Sequence, residues 1–148
     1  MIIDQSLMLV GFEASSKEEV ITKLSDLAEE KGYVDESYLD NVLKREEDYP
    51  TGLPAEVPVA IPHIGEGCKE SFLGVATLLK PVTFQSMGGG DPLEVEHVFL
   101  IGVTDPQVQV SFLQRLSAAI QKAEFLEALS KADKPETLKK IIKDNLEA

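Results

Sequence analysis

Between Val57 and Val103 the chain carries four short runs rich in β-branched and aromatic residues: Val57 to Ile61, Phe72 to Leu79, Val82 to Phe84 and Val95 to Val103. The spacing between Phe72, Phe84 and Val95 leaves no room for crossover helices, so at least one antiparallel pairing is expected. On both sides of this block the apolar spacing becomes helical. Upstream, Leu7, Leu9 and the run to Phe12 predict a strand. Ser16 followed by Glu19 has the form of a capping box, and Val20, Ile21, Leu24, Leu27 and Ala28 then repeat at helical spacing until Gly32. Asp35 is expected to open a second helix with Leu39, Val42 and Leu43 on its apolar face. Downstream, Asp105-Pro106 caps a helix with Val110, Leu113, Leu116 and Ile120 as its buried stripe. A short element with Phe125, Leu126 and Leu129 follows, and Pro135 starts a final helix with Leu138, Ile141, Ile142 and Leu146 facing inward. Helices around a central group of strands predict an α/β fold, a mixed β-sheet flanked by helices in an α/β sandwich. With 148 residues, 43% of them hydrophobic, one domain spanning 1–148 is expected.

Charge and cysteine content narrow the function classes. A net charge of -12 with no basic patch argues against nucleic-acid binding, and no apolar run approaches the ~20 residues that cross a bilayer. The start Met1-Ile2-Ile3-Asp4 lacks a signal-peptide pattern and the single cysteine cannot form an internal disulfide, so a cytoplasmic location is expected. Two histidines and Cys68 offer no zinc-site spacing, and the cluster Gly88-Gly89-Gly90 matches neither a P-loop nor a dinucleotide fingerprint. No metal, ATP or NAD cofactor is therefore expected, and the triple glycine reads as a surface loop.

The chemistry concentrates at His63, which ends the apolar run Val59-Ala60-Ile61-Pro62. The proline restricts Ile61 to extended geometry and removes a donor, as at a strand end. Imidazole titrates near pH ~6.5, so a rim histidine holds a free lone pair at neutral pH and can attack phosphorus. A loop histidine of no function is the competing reading, and its company weighs against it. Arg45 offers a fixed cation, Thr51 a hydroxyl, and Gly52 close backbone approach to an anion. Glu46, beside Arg45, is a candidate to orient that guanidinium, set against a solvated helix end. His97, inside Val95-Glu96-His97-Val98-Phe99, reads as structural or solvent-facing, and Cys68 as an incidental thiol.

Arg45-Glu46, then Pro50-Thr51-Gly52-Leu53, then Ala60-Ile61-Pro62-His63, resemble the signature of the fructose/mannitol class of enzyme IIA components of the phosphoenolpyruvate-dependent sugar phosphotransferase system. The likeness extends over nearly the whole chain, and Asp105-Pro106-Gln107-Val108-Gln109 looks most like the galactitol-type branch. The resemblance implies the mannitol/fructose-type IIA fold and a phosphoryl carrier. His63 would accept the group from the phosphohistidine of HPr and pass it to a cysteine of a cognate IIB component, with no free nucleotide involved and the membrane permease IIC engaged only indirectly. It places Arg45 beside the phosphorylated ring, with Thr51 and Gly52 shaping the loop. Many mannitol-like members carry a second histidine where this chain has Gln109, which can hydrogen-bond but cannot carry charge. A partner bonded to the other ring nitrogen of His63 is expected to hold its tautomer, and Leu53 and Ile64 are expected on a shallow docking surface. A regulatory module of the nitrogen-related type is the alternative, and a binding domain without transfer a third reading.

Overall fold

The computed structural model describes residues 1–146; Glu147 and Ala148, the end of the expected domain, lie outside the described residues. In chain order the elements are β1 (Ile2–Phe12), α1 (Lys17–Glu30), α2 (Tyr38–Asp48), β2 (Gly52–Leu53), β3 (Val59–Ala60), β4 (His63–Ile64), β5 (Phe72–Phe84), β6 (Leu93–Gly102), α3 (Pro106–Ile120), α4 (Ala123–Lys131) and α5 (Pro135–Leu146). The strands form one mixed sheet in the order β1-β5-β6-β3-β2, with β4 also paired to β6. β5 and β6 run antiparallel, as the short connection between them requires, whereas β1 joins β5, and β3 and β4 join β6, in parallel.

Alternation along the strands sends side chains to two cores. Leu73, Val75, Phe99 and Ile101 pack with Phe112 and Leu116 of α3, Phe125 and Leu129 of α4, and Leu138 and Ile142 of α5. Ala76, Val98 and Leu100 pack on the opposite face with Val20, Ile21 and Leu24 of α1 and with Tyr38 and Val42 of α2. The chain is thus an α/β sandwich with a mixed sheet between two helical layers.

Several boundaries differ from the sequence reading. The runs 72–79 and 82–84 form one strand, β5, whose register against β6 slips between Thr77 and Val82. Pro81 has no N–H to give a ladder, and this irregular stretch, where Leu79, Lys80 and Pro81 are exposed, accommodates it. The run 57–61 contracts to Val59–Ala60 because Pro58 and Pro62 flank it without donors. The second helix begins at Tyr38 rather than Asp35, since the Asp35 carboxylate accepts from Ser37 N (2.8 Å) and Ser37 Oγ (2.6 Å) in a turn before the helix. Val110 is 58% exposed, and the buried stripe of α3 is Phe112, Leu116, Ala119 and Ile120. A helix starting at Pro106 turns Val110 away from the sheet.

Candidate functional site

The backbone at His63 is fixed by β6. Ile101 N donates to the Pro62 carbonyl (3.0 Å), and His63 and Ile64 pair with Ile101 and Gly102. The half-buried ring is fixed in turn by its own chain, with Nδ1 lying 2.7 Å from the Ile61 carbonyl oxygen. A carbonyl can only accept, so Nδ1 carries a proton, and in the neutral form of the ring the lone pair lies on Nε2. The partner that the sequence could not name is therefore a backbone oxygen two residues upstream.

Two open clefts, of ≈ 490 and ≈ 590 Å³, meet at this ring, and His63, Arg45, Asp48 and Tyr49 line both. The first also draws on Lys44, Ile64 and Gln109. The second continues over Met87, Gly88 and Leu113. Lys44 lies 3.3 Å from Asp48 one helical turn on, so their charges offset each other. Among the described residues no carboxylate forms an ion pair with Arg45, whose guanidinium instead sits 4.4 Å from the centroid of the Tyr49 ring. A stacked guanidinium with its donors uncommitted to a carboxylate, beside an imidazole whose Nδ1 is already bonded, suits an anion placed on Nε2. Gln109, near the start of α3, adds an uncharged amide to the same cleft.

Three roles read from the sequence change. Glu46 does not orient Arg45: it is 2% exposed, and its carboxylate accepts from Thr51 N (2.9 Å) and Thr51 Oγ1 (2.7 Å). The Thr51 hydroxyl is committed to Glu46, and the residue, also 2% exposed, stands at the edge of the second cleft. Gly52 serves protein backbone rather than a ligand, since a Cβ there would sit 2.6 Å from the Gln85 carbonyl oxygen, to which Gly52 N also donates (3.0 Å). Gly52→Ala is expected to lower stability by about 1–3 kcal/mol through this clash, read as a shifted urea midpoint at unchanged slope.

The remaining candidates stay structural. His97 is buried, with Nε2 3.2 Å from Ser130 Oγ, which bonds the Leu126 carbonyl (3.1 Å). Cys68 is half-buried, its Sγ 3.4 Å from the Ile64 carbonyl, and burial pushes its thiol up to about 11, so it is no nucleophile at neutral pH. Leu53 and Ile64 are both half-buried against the core; Ile64 lines the first cleft and Leu53 lines neither. Among the described residues no three His, Cys, Asp or Glu side chains gather as a metal site. No helix among them is long and apolar enough to cross a membrane.

Residues 1–145 match the family described as the phosphoenolpyruvate-dependent sugar phosphotransferase system, EIIA 2. The chain belongs to this enzyme IIA family. The galactitol-specific EIIA component of Escherichia coli (strain K12) is 28% identical over 121 residues, covering 80% of this chain and 81% of that protein. The nitrogen regulatory protein IIA-Ntr of Neisseria meningitidis superposes with a TM-score of 0.80 at 22% identity, covering 95% of this chain and 96% of its own. IIA mannitol from Escherichia coli gives a TM-score of 0.77 at 20% identity, covering 96% and 99% of the two chains. At these identities the structural likeness establishes the mannitol-type IIA fold.

For this IIA chain, Tyr49 and Met87 are the residues at the site that pattern reading missed. Tyr49 stands four residues after Arg45, the spacing of helical neighbours, which is the signal that could have paired them. Met87 comes to His63 only through the tertiary path of its loop.

Proposed function

We propose that the chain is a phosphoryl-carrier IIA component that accepts phosphate on His63 from phospho-HPr and passes it to a cysteine of a cognate IIB protein. One observation carries the reading: a half-buried imidazole with Nδ1–H bonded to a carbonyl and Nε2 free, at the junction of two clefts shared with Arg45. In the first half-reaction the Nε2 lone pair attacks phosphorus as the donor's P–N bond breaks, and the donor imidazole leaves with that electron pair. In the second a IIB thiolate attacks the same phosphorus, the P–Nε2 bond breaks, and His63 returns neutral. Nδ1–H remains on the Ile61 carbonyl throughout, so the positive charge gained on phosphorylation is stabilised at the ring's far side. Arg45, with Gln109 beside it, neutralises the phosphoryl oxygens; Thr51, Gly52 and Glu46 support the loop that holds the ring. In-line transfer needs alignment and charge neutralisation more than covalent help.

Both partners use one ring in turn, so each must cover it. Tyr49 (62% exposed), Met87 (44%) and Val110 (58%) are three of the four large exposed apolar residues among the described residues; Tyr49 and Met87 line the second cleft and Val110 follows Gln109 on α3. With Ile64 they form the apolar docking surface for HPr and IIB, a transient interface that need not be large. The permease IIC is reached only through IIB. The galactitol-specific relative supports uptake of galactitol or a similar polyol by a cytoplasmic relay of this kind. Incubation with phosphoenolpyruvate, enzyme I and HPr is expected to add one acid-labile phosphoryl group, located on Nε2 by ³¹P and ¹⁵N NMR. A chain that takes up none, or takes it on Nδ1, overturns the reading.

A further inference from the structure

Glu46 is an expensive residue to bury for the sake of a loop. The residue is 2% exposed, and burial raises its pKa against the lowering effect of the two Thr51 hydrogen bonds. Both oxygens are spent on a single residue, Thr51, through its N–H and its hydroxyl. What Thr51 then does explains the investment. Its Oγ1 accepts from Ile61 N at 3.2 Å and its carbonyl oxygen lies 3.3 Å from the same N–H, so residue 61 is fastened twice to the residue that Glu46 holds. Ile61 is in turn the residue whose carbonyl accepts Nδ1–H of His63 at 2.7 Å. The series Glu46, Thr51, Ile61, His63 thus runs from a helix, α2, to the nucleophilic ring through hydrogen bonds and one residue of backbone.

We propose that Glu46 and Thr51 are positioning residues for His63: they fix the Ile61 carbonyl, and through it the tautomer that leaves Nε2 unprotonated and aimed into the cleft. Neither touches the reacting atoms. The inference rests on the phosphoryl-carrier reading for its kinetic consequence, but not for its structural one. A carbonyl free to rotate away would release Nδ1–H, and the ring would then populate the tautomer with its proton on the attacking nitrogen. Helix α2 carries both Arg45, at the cleft, and Glu46, beneath it, so one helix sets the cation and the ring.

Three substitutions test this: Thr51→Val, which keeps shape and loses the hydroxyl; Thr51→Ser, which keeps the hydroxyl and loses a methyl; and Glu46→Gln. With ¹⁵N-labelled histidine above the imidazole titration, the parent is expected to show an Nδ1–H, Nε2-lone-pair ring. Thr51→Val and Glu46→Gln should move both nitrogen shifts toward tautomer mixing and slow phosphoryl uptake at saturating phospho-HPr on the order of 10-fold, with half-saturation unchanged. Thr51→Ser should keep parental shifts and rates although its lost methyl lowers the melting temperature. Parental nitrogen shifts in Thr51→Val overturn the proposal, as does a rate loss that Thr51→Ser shares in proportion to its melting temperature. If Glu46→Gln does not fold, the Val and Ser pair decides alone. A parent chain that takes up no phosphoryl group defeats the carrier reading, while the nitrogen shifts still decide the positioning role.

Discussion

A chain carrying His63→Ala will take up no phosphoryl group from phospho-HPr, and one carrying Arg45→Ala will take it up on the order of 10²- to 10³-fold more slowly, the cost of removing one preorganised charged donor. The first effect is total because the other imidazole, His97, is sealed in the core, and the thiol of Cys68 is held protonated by burial. The second is partial because Gln109 and the clefts still receive the group. Neither change should unfold the domain. Arg45 is exposed and its contact with Tyr49 is a surface cation–π pair, so its removal is expected to alter stability by no more than about 1 kcal/mol. Arg45→Lys separates charge from geometry: a point charge without the planar fork should recover part of the rate only. Rapid-quench measurement of transfer beside a urea titration of each variant checks both halves. Parental transfer by Arg45→Ala, or its loss together with the folded state, would defeat the role given to the guanidinium.

What was legible in the sequence followed from local periodicity, and what was hidden depended on long-range partners. The helical stripes of Val20 to Ala28 and Leu138 to Leu146 lie where their spacing put them, because an amphipathic face has one solution against a sheet. The antiparallel β5/β6 pair was legible from connection length alone. β2 and β4 were not, because two residues carry no period; they are strands only because β3 and β6 lie alongside. The same division holds at the site. His63, Arg45 and Gln109 come together as their motif implied. Thr51 was expected to offer its hydroxyl to an anion and Glu46 to orient Arg45, yet the fold turns the two side chains onto each other. Gly52 was read as room for a ligand, whereas Gln85, distant in sequence, fills that room. Residue type announces what a side chain can bond, and only topology settles which partner arrives.

The buried His97 makes stability depend on pH in a calculable direction. Burial is the main cause that brings its pKa down to about 4, only partly offset by the neighbouring backbone of Glu96 and Leu126. Ser130 Oγ–H donates to the Leu126 carbonyl, so its oxygen accepts Nε2–H of His97, and the second proton would have to enter at Nδ1, which is buried with no hydrogen-bond partner among the described residues. The unfolded chain carries an ordinary imidazole and binds that proton near pH 6.5, whereas the folded chain refuses it until about pH 4. Between those limits the unfolded state holds more protons, so stability rises with pH across the window and falls on acidification, by about 3 kcal/mol in all. Above the window the group is neutral in both states and contributes no slope. Glu46 acts oppositely, because burial raises its pKa and the folded state then holds the extra proton. The raw pH profile therefore mixes two signs, and the difference between the parent and His97→Gln isolates the histidine. Glutamine still offers an N–H to Ser130 and does not titrate, so the two stability curves should run parallel above pH ~6.5 and diverge as the pH falls toward ~4, with the parent losing more. Curves that stay parallel through that interval would mean that His97 can take up its second proton inside the folded core, and that Nδ1 finds an acceptor there.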